Sequence, residues 1–407
     1  MSGALSHIRV LDLSRILAGP WAGQLLADMG ADVIKVERPG EGDDTRRWGP
    51  PWVKDEAGHD TDVASYFLCA NRNKRSITVD ITQPEGQALI RELVKRSDVV
   101  LENYKLGGLK KYGLDYAALA EVNPRLVYCS ITGFGQTGPY APRAGYDFLI
   151  QGLGGLMSVT GLPDGEPGAG PMKVGVALTD ILTGLYASNA VLAALAWREK
   201  SGGRGQHIDM ALLDVQVACL ANQALGYLAT GNNPQRLGNS HPSIVPYQDF
   251  PTADGYMILA IGNDGQFQRF CAEAGQPELA QDSRFSSNAQ RVQHRAALIA
   301  LLRQITVQRT TAQWIEALEA KAVPCGPINQ LSDVFADPHV QARGMHFEMS
   351  HPAATNVPQV ACPIKMSATP VENRLPPPAV GQHTQEVLAE LGLSAEVVAQ
   401  LRHSQVI

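Results

Sequence analysis

The chain has no Lys/Arg run longer than the pairs Arg46-Arg47 and Lys110-Lys111, no CxxC pair, no leader-like start, no internal repeat and no low-complexity tract. With a formal net charge of -6, the first absence removes the electrostatic footprint of a nucleic-acid binder. Cys69, Cys129, Cys219, Cys271, Cys325 and Cys362 stand singly and no histidine lies at metal-ligand spacing, so neither a disulfide framework nor a metal site is expected. They read as small buried hydrophobes of a reducing, cytoplasmic protein. Met1 to His7 runs straight into a strand-like segment without the charged start and cleavage site of an exported chain. One stretch, Ile181 to Trp197, has the length of a membrane span. Its Thr183, Gly184, Ser188 and Asn189, and the lack of a second such stretch, favour a core helix and no membrane partner.

What is present is a globular composition, 44% hydrophobic and 18% charged over 407 residues, long enough for two domains. Ile8–Leu13 reads as a strand, Trp21–Met29 as a helix ended by Gly30, and Ala31–Glu37 as the next strand. The alternation continues with strand Ser76–Ile81, helix Pro84–Arg96 opened by Thr82, strand Val99–Glu102, helix Tyr116–Val122 and strand Leu126–Ile131. Such a series predicts an α/β fold with a mostly parallel sheet covered on both faces. Ligands of such sheets gather beyond the carboxyl ends of the strands, which singles out the loops beginning at Ser14, Arg38, Thr82, Asn103 and Thr132. From Asn222 to Ala336 the texture changes. A polar loop (Thr230 to Pro242), a strand pair around Gly255 and helices Gln266–Ala274, Ala296–Ile305 and Thr311–Lys321 suggest a smaller α+β domain. The expected division is therefore residues 1–221, completed by 337–407, and residues 222–336. Pro376-Pro377-Pro378 reads as an extended tether before a last helix, Gln385–Gly392.

Gly133-Phe134-Gly135-Gln136-Thr137-Gly138 matches G-x-G-x-x-G after a strand. That fingerprint needs a helix N-terminus directly behind the glycines, whereas Pro139, Pro142 and Gly145 follow, in the last strand-loop unit instead of the first. NAD is therefore not expected.

The segment Val174 to Gly184 carries more. It places Asp180 at the entrance of the apolar helix, where unpaired N–H groups and the helix dipole hold a carboxylate as a cap or present it as a nucleophile. The residues alone leave both roles open.

Several blocks together carry a resemblance. They are Val10-Leu11-Asp12 with Ala18-Gly19-Pro20, Gly30 to Glu37, Asn73-Lys74-Arg75-Ser76-Ile77, Glu102-Asn103-Tyr104, Asn123-Pro124-Arg125, Leu178-Thr179-Asp180 and Gly203-Arg204-Gly205-Gln206. In this order the chain resembles, over essentially its whole length, the class III CoA-transferases, the family of formyl-CoA:oxalate and carnitine CoA-transferases. Ser130 to Gly133, Ser243 to Gln248 and Gly326 to Asn329 look like the branch that moves CoA between dicarboxylates such as succinate and glutarate. The resemblance implies an interlocked, ring-shaped homodimer with a Rossmann-like large domain and a small domain in each subunit. It also implies that Asp180 is the nucleophile and that coenzyme A enters as a cosubstrate, with no metal.

By position, the resemblance assigns CoA contacts to Leu17 and Ala18 after the first strand, Arg38 after the second, and Val79, Asp80, Ile81 and Thr82 near the adenine. Asn103, Tyr104 and Lys105 would meet the pyrophosphate, with Lys111 where the family often has an arginine, a point charge replacing a bidentate clamp. Arg143, Ala144, Gly145, Tyr146 and Asp147 would run beside the pantetheine arm, with Asp147 orienting Asp180 or serving as a turn residue. Arg46 and Arg47 lie in a loop that could face the far carboxylate of a dicarboxylate, with a solvated pair as the favoured alternative. Oxalate-specific members carry a glycine run as a lid over the aspartate. Here Gly238-Asn239-Ser240-His241-Pro242-Ser243 stands instead, with Gly238, Asn239, Ser240 and His241 as substrate candidates and oxalate a poorer acceptor. The rival within the fold is an α-methylacyl-CoA racemase, whose histidine is replaced here by Tyr146, a poor base at neutral pH. A non-catalytic CoA-binding protein is the rival of another class, disfavoured by an intact Asp180 setting.

Overall fold

The computed structural model describes residues 3–352 and 354–407. Its strands are β1 (Arg9–Asp12), β2 (Asp32–Glu37), β3 (Trp52–Lys54), β4 (Asp60–Ala64), β5 (Lys74–Thr78), β6 (Val99–Glu102), β7 (Val127–Thr132), β8 (Gln206–Ala211), β9 (Tyr247–Pro251), β10 (Tyr256–Ala260), β11 (Cys325–Pro327), β12 (His346–His351) and β13 (Ala354–Val360). By internal contacts the chain forms two units. The first takes Met1–Leu156, Val174–Leu225 and His339–Ile407; the second takes Met157–Lys173 and Gly226–Pro338. The second unit thus begins four residues later than the composition shift suggests and recruits a Gly/Pro-rich segment that carries no periodic signal.

The first unit is built on a six-stranded sheet in the order β5-β2-β1-β6-β7-β8, every neighbouring pair parallel. Apolar side chains alternate between two covered faces, as parallel strands require. Val10, Val33, Leu101, Val127, Cys129 and Ile131 pack with helices Ala18–Asp28 and Leu178–Lys200. Leu11, Ile34, Val36, Val100 and Tyr128 pack on the other face with helices Pro84–Lys95 and Tyr116–Val122 and with Val387, Leu388 and Val398 near the C-terminus. The chain passes from β1 outward through β2 and β5, then returns to the other side of β1 at β6. The order reverses between β1 and β6, so their carboxyl ends bound the crevice where such sheets bind ligands.

Buried ion pairs brace that crevice. Lys74 Nζ lies 3.0 Å from Asp12 and donates to Pro20 O (2.8 Å), while Lys35 Nζ lies 2.8 Å from Asp43 and donates to Ser14 O (3.0 Å). Lys35 therefore ties a buried carboxylate to the loop after β1, and Lys74 ties another to the first turn of helix Ala18–Asp28, which satisfies the charges and fixes the segment.

The second unit holds an antiparallel sheet, β11-β10-β9, under helices Asp264–Glu273, Arg295–Thr306 and Thr311–Glu319. Phe250, Met257, Phe267, Phe270 and Trp314 form its core, with the Trp314 indole donating to Thr306 O at 2.7 Å.

Four expectations are corrected. The strand after Asn73 ends at Thr78, so residues 79–82 form a loop beyond it. Helix Pro84–Lys95 is opened by Gln83, because the Thr82 N–H and hydroxyl are both spent on Asp80 (2.9 and 2.7 Å). A helix at Ala395–His403 follows the one expected to be last, capped by Ser394. Helix Leu178–Lys200 starts three residues before Ile181, so Asp180 belongs to its first turn.

Candidate active site

Asp180 is not the cap of its helix. The capping residue, Ala177, has no hydrogen-bonding side chain, and the carboxylate of Asp147 accepts the Thr179 and Asp180 N–H groups instead, at 2.8 and 3.2 Å. Asp147 is itself held by Gln151 Nε2 (2.7 Å), whose Oε1 accepts the Val174 N–H (2.9 Å). A second acidic residue thus serves the orphan N–H groups, and the Asp180 side chain is released from that duty. Asp180 is only 9% exposed. Burial, and then the nearby charge of Asp147, push its carboxyl up to about 7. A carboxylate stripped of water in this way is the more reactive for it. Thr179 and Thr183, both buried, turn their hydroxyls to Gln216 (2.6 Å) and Thr179 O (2.7 Å) and anchor the same turn.

One turn on, Gly184 lies on the helix face shared with Asp180. A Cβ there would sit 2.7 Å from Ala18 O and 3.0 Å from the Trp21 side chain. Only a glycine lets helix Ala18–Asp28 meet helix Leu178–Lys200 this closely, which brings Leu17 and Ala18 beside the Asp180 turn. Leu17 opens its helix and its side chain makes no capping bond. Just ahead, Ile16 holds φ +71, a strained position for a β-branched residue. The loop is over-determined: Asn103 bonds both the Arg15 N–H (2.9 Å) and the Arg15 carbonyl (2.6 Å), and Asp43 accepts from Ile16 N (3.3 Å). Burial alone would raise Asp43, but Lys35 brings it down to about 2, so it stays a charged anchor.

The structure therefore joins the loops after β1 and β6 across the crevice, with the Asn103 amide spent on that joint instead of facing solvent. The Tyr104 N–H bonds Glu102 (2.8 Å), and Lys105 O accepts from Gly108 N (2.7 Å). Val79, Asp80, Ile81 and Thr82 follow β5, with the Asp80 side chain turned onto Thr82 and Gln83. Arg38 is exposed and meets Glu41 at 3.1 Å, and Lys111 lies over the Tyr112 ring. Arg143 stands over Phe134 and Tyr140, while Ala144 and Gly145 lead to the exposed Tyr146. Gly145 also explains the misleading glycine motif. A Cβ on Gly133 would fall 2.6 Å from Gly145 Cα, and the next helix does not begin until Asp147, so Gly133 serves a close crossing of the chain. Arg46 is corrected as a substrate candidate: its guanidinium forks onto Glu37 (2.8 and 2.7 Å) and Pro378 O. Arg47 remains mostly exposed.

Gly238, Asn239, Ser240 and His241 belong to the second unit. Gly238 N bonds Gly161 O (3.0 Å), Ser240 Oγ bonds Gln248 (2.9 Å), and the His241 carbonyl accepts from Arg295 (2.7 Å).

Sequence reasoning missed Tyr66 and Trp48. Burial raises the Tyr66 phenol to about 12, and the charges of Asp180, Cys69 and Asp147 add to it, which sets the ring beside both acids. Trp48 meets Tyr66 edge-on at 5.1 Å. Neither residue lies in a motif: Trp48 sits in irregular chain before β3, and Tyr66 in the one-turn helix Ser65–Leu68 after β4. The signal in Gly184 was present as a small residue one turn after Asp180. Among the described residues no group of three His, Cys, Asp or Glu side chains is placed to hold a metal ion.

Comparison with known proteins adds three findings. Residues 5–384 match the model of CoA-transferase family III. The chain is 54% identical over 387 residues to the succinate–glutarate CoA-transferase of Agrobacterium fabrum, covering 95% of each, and 44% identical to the human succinyl-CoA:glutarate CoA-transferase, covering 95% of this chain and 86% of that one. The crystal structure of a CAIB/BAIF family protein from Brucella suis superposes with a TM-score of 0.84 at 52% identity, over 96% of this chain and 100% of that one.

Proposed function

Because the chain belongs to CoA-transferase family III, we propose that it moves CoA from succinyl-CoA to a dicarboxylate acceptor, glutarate first among them. The observation that carries this reading is the Asp147–Asp180 pair: one acid caps the helix, and the other is buried, uncapped and raised in pKa beside it.

In this mechanism the ionised Asp180 attacks the thioester carbonyl, the C–S bond breaks, and a mixed anhydride forms with release of CoA thiolate. The thiolate attacks the aspartyl carbonyl, expels succinate and leaves an Asp180–CoA thioester. The acceptor carboxylate then attacks that thioester to form a second anhydride, and CoA thiolate takes the acyl group and restores Asp180. Each addition develops an oxyanion, and any donors that stabilise it must come from outside the Asp180 turn, whose Thr179 and Asp180 N–H groups are spent on Asp147. Burial supports the first step by removing the water that makes carboxylates weak nucleophiles.

The crevice between β1 and β6 is the proposed CoA site. Support comes from the uncapped helix start at Leu17, the braced Ser14–Ala18 loop, Lys105 and Lys111 near the second loop, and Arg38 free to swing from Glu41. Tyr66, Trp48 and Arg47 would line the acyl side. A Rossmann-like large domain and a homodimer complete the reading. Exposed Phe148, Leu149, Leu153, Leu185 and Tyr186 favour a second copy. A cytoplasmic location fits six free cysteines.

Incubation with succinyl-CoA and glutarate is expected to yield glutaryl-CoA and succinate. Absence of transfer with every acceptor of a carboxylate panel would overturn the proposal, and inversion of a 2-methylacyl-CoA would install the racemase instead.

A further inference from the structure

On the sheet face opposite helix Leu178–Lys200 lies a cavity of about 290 Å³, lined by Glu102, Ser130, His207 and the turn Gly107–Leu109. Glu102, Ser130 and Asp209 are register partners on β6, β7 and β8, with His207 one step back on the same face as Tyr128. Ser130 Oγ lies 2.9 Å from His207 Nε2, and Ser130 stands opposite Glu102 in the register, where its hydroxyl lowers the Glu102 carboxyl. The other Glu102 contact is the Tyr104 N–H at 2.8 Å, the middle of the loop that begins with Asn103. His207 is fixed by stacking on Tyr116 at 5.0 Å.

We propose that Glu102, Ser130 and His207 form a hydrogen-bonded relay that positions the Asn103–Lys105 loop and couples acyl-CoA affinity to pH. This rests on the reading of that loop as part of the CoA site. None of the three is a catalytic residue; they act through the loop. With Glu102 ionised, Ser130 donates to it and His207 Nε2–H donates to Ser130, and the carboxylate holds the Tyr104 N–H by a charge-assisted bond. On protonation Glu102 donates to Ser130, Ser130 donates to a deprotonated Nε2, and the bond to Tyr104 falls to neutral strength. Burial pushes Glu102 up to about 7, opposed by its bonds to Ser130 and Tyr104, so the change falls near neutrality. His207 is kept below its usual range by burial, with Asp209 pulling it up, and enters as a neutral ring. The groups facing the relay are Tyr104, Lys105 and Lys110 from the loop, Asp115 and Tyr116 at the start of the helix above, and Tyr128 and Asp209 from the strands, with Cys129 near Glu102 but on the opposite face. None of them pairs with Glu102 as a salt bridge in this structure.

Titration of CoA into the full-length protein by calorimetry between pH 5.5 and 8.5 tests this. The wild type is expected to bind about five- to tenfold tighter above the midpoint than below it, the difference between a charged and a neutral acceptor. Glu102→Gln should bind at the weak level at every pH while kcat keeps its own pH profile. Ser130→Ala, which removes a bond that lowers Glu102, should move the midpoint upward, and His207→Phe, which keeps the stack, should do likewise. Binding by the wild type with an unmoved midpoint in Ser130→Ala and His207→Phe overturns the relay alone. No CoA binding by the wild type overturns the relay and the CoA-site reading together.

Discussion

Replacing Asp180 by Asn should make the protein more stable, and increasingly so as pH rises. The folded state holds the Asp180 proton to about 7 against an ordinary value of 3.8, so below the ordinary value the residue costs nothing and above about 7 it costs in full. The difference amounts to about 4 kcal/mol as a ceiling, since local relaxation and water entry reduce it. About 2.5 kcal/mol of that should open between pH 5 and pH 8. Asn keeps the volume and removes the charge, so its unfolding free energy should lack this slope. Urea unfolding of both proteins at pH 5, 6, 7 and 8 measures the gap directly. A gap that stays constant across the range would refute the claim that burial and Asp147 store this energy at the nucleophile, whatever the variant does to activity.

Two further outcomes follow from the same geometry. Transfer should rise with pH through about 7 as Asp180 ionises, and Asp147→Asn, which removes the charge that helps raise Asp180, should move that limb to lower pH in a kcat/KM profile. Gly184→Ala should weaken acyl-CoA binding at least about tenfold and lower stability by about 1–3 kcal/mol, because the new methyl meets Ala18 O at 2.7 Å. Wild-type KM for succinyl-CoA in that variant would remove Gly184 from the account.

Much of the first unit was legible because parallel strands announce themselves as short apolar runs: β6 and helix Tyr116–Val122 stand at their expected residues. The segment 157–173 was not legible, since a Gly/Pro-rich stretch joins another unit through contacts that leave no periodicity. Asp180 was readable as one of two things, and only the position of Asp147 resolves its capping duty, a fact of tertiary placement across 33 residues of sequence. Asn103 was read as a pyrophosphate contact, and the fold also gives its amide a backbone partner 88 residues away. Tyr66 could not be found at all, because a one-turn helix, Ser65–Leu68, too short to leave a periodic pattern, carries it to the acids. Motif spacing identifies which side chains carry chemistry, whereas their hydrogen-bond partners are set by the fold.

The central claim is a covalent bond at Asp180. Enzyme mixed with succinyl-CoA alone, acid-quenched within a turnover and digested, should yield the peptide containing Asp180 with CoA attached as a thioester, converted by hydroxylamine to the hydroxamate. An unmodified Asp180 peptide in a sample that is demonstrably transferring CoA, or full transfer by Asp180→Ala, would contradict it.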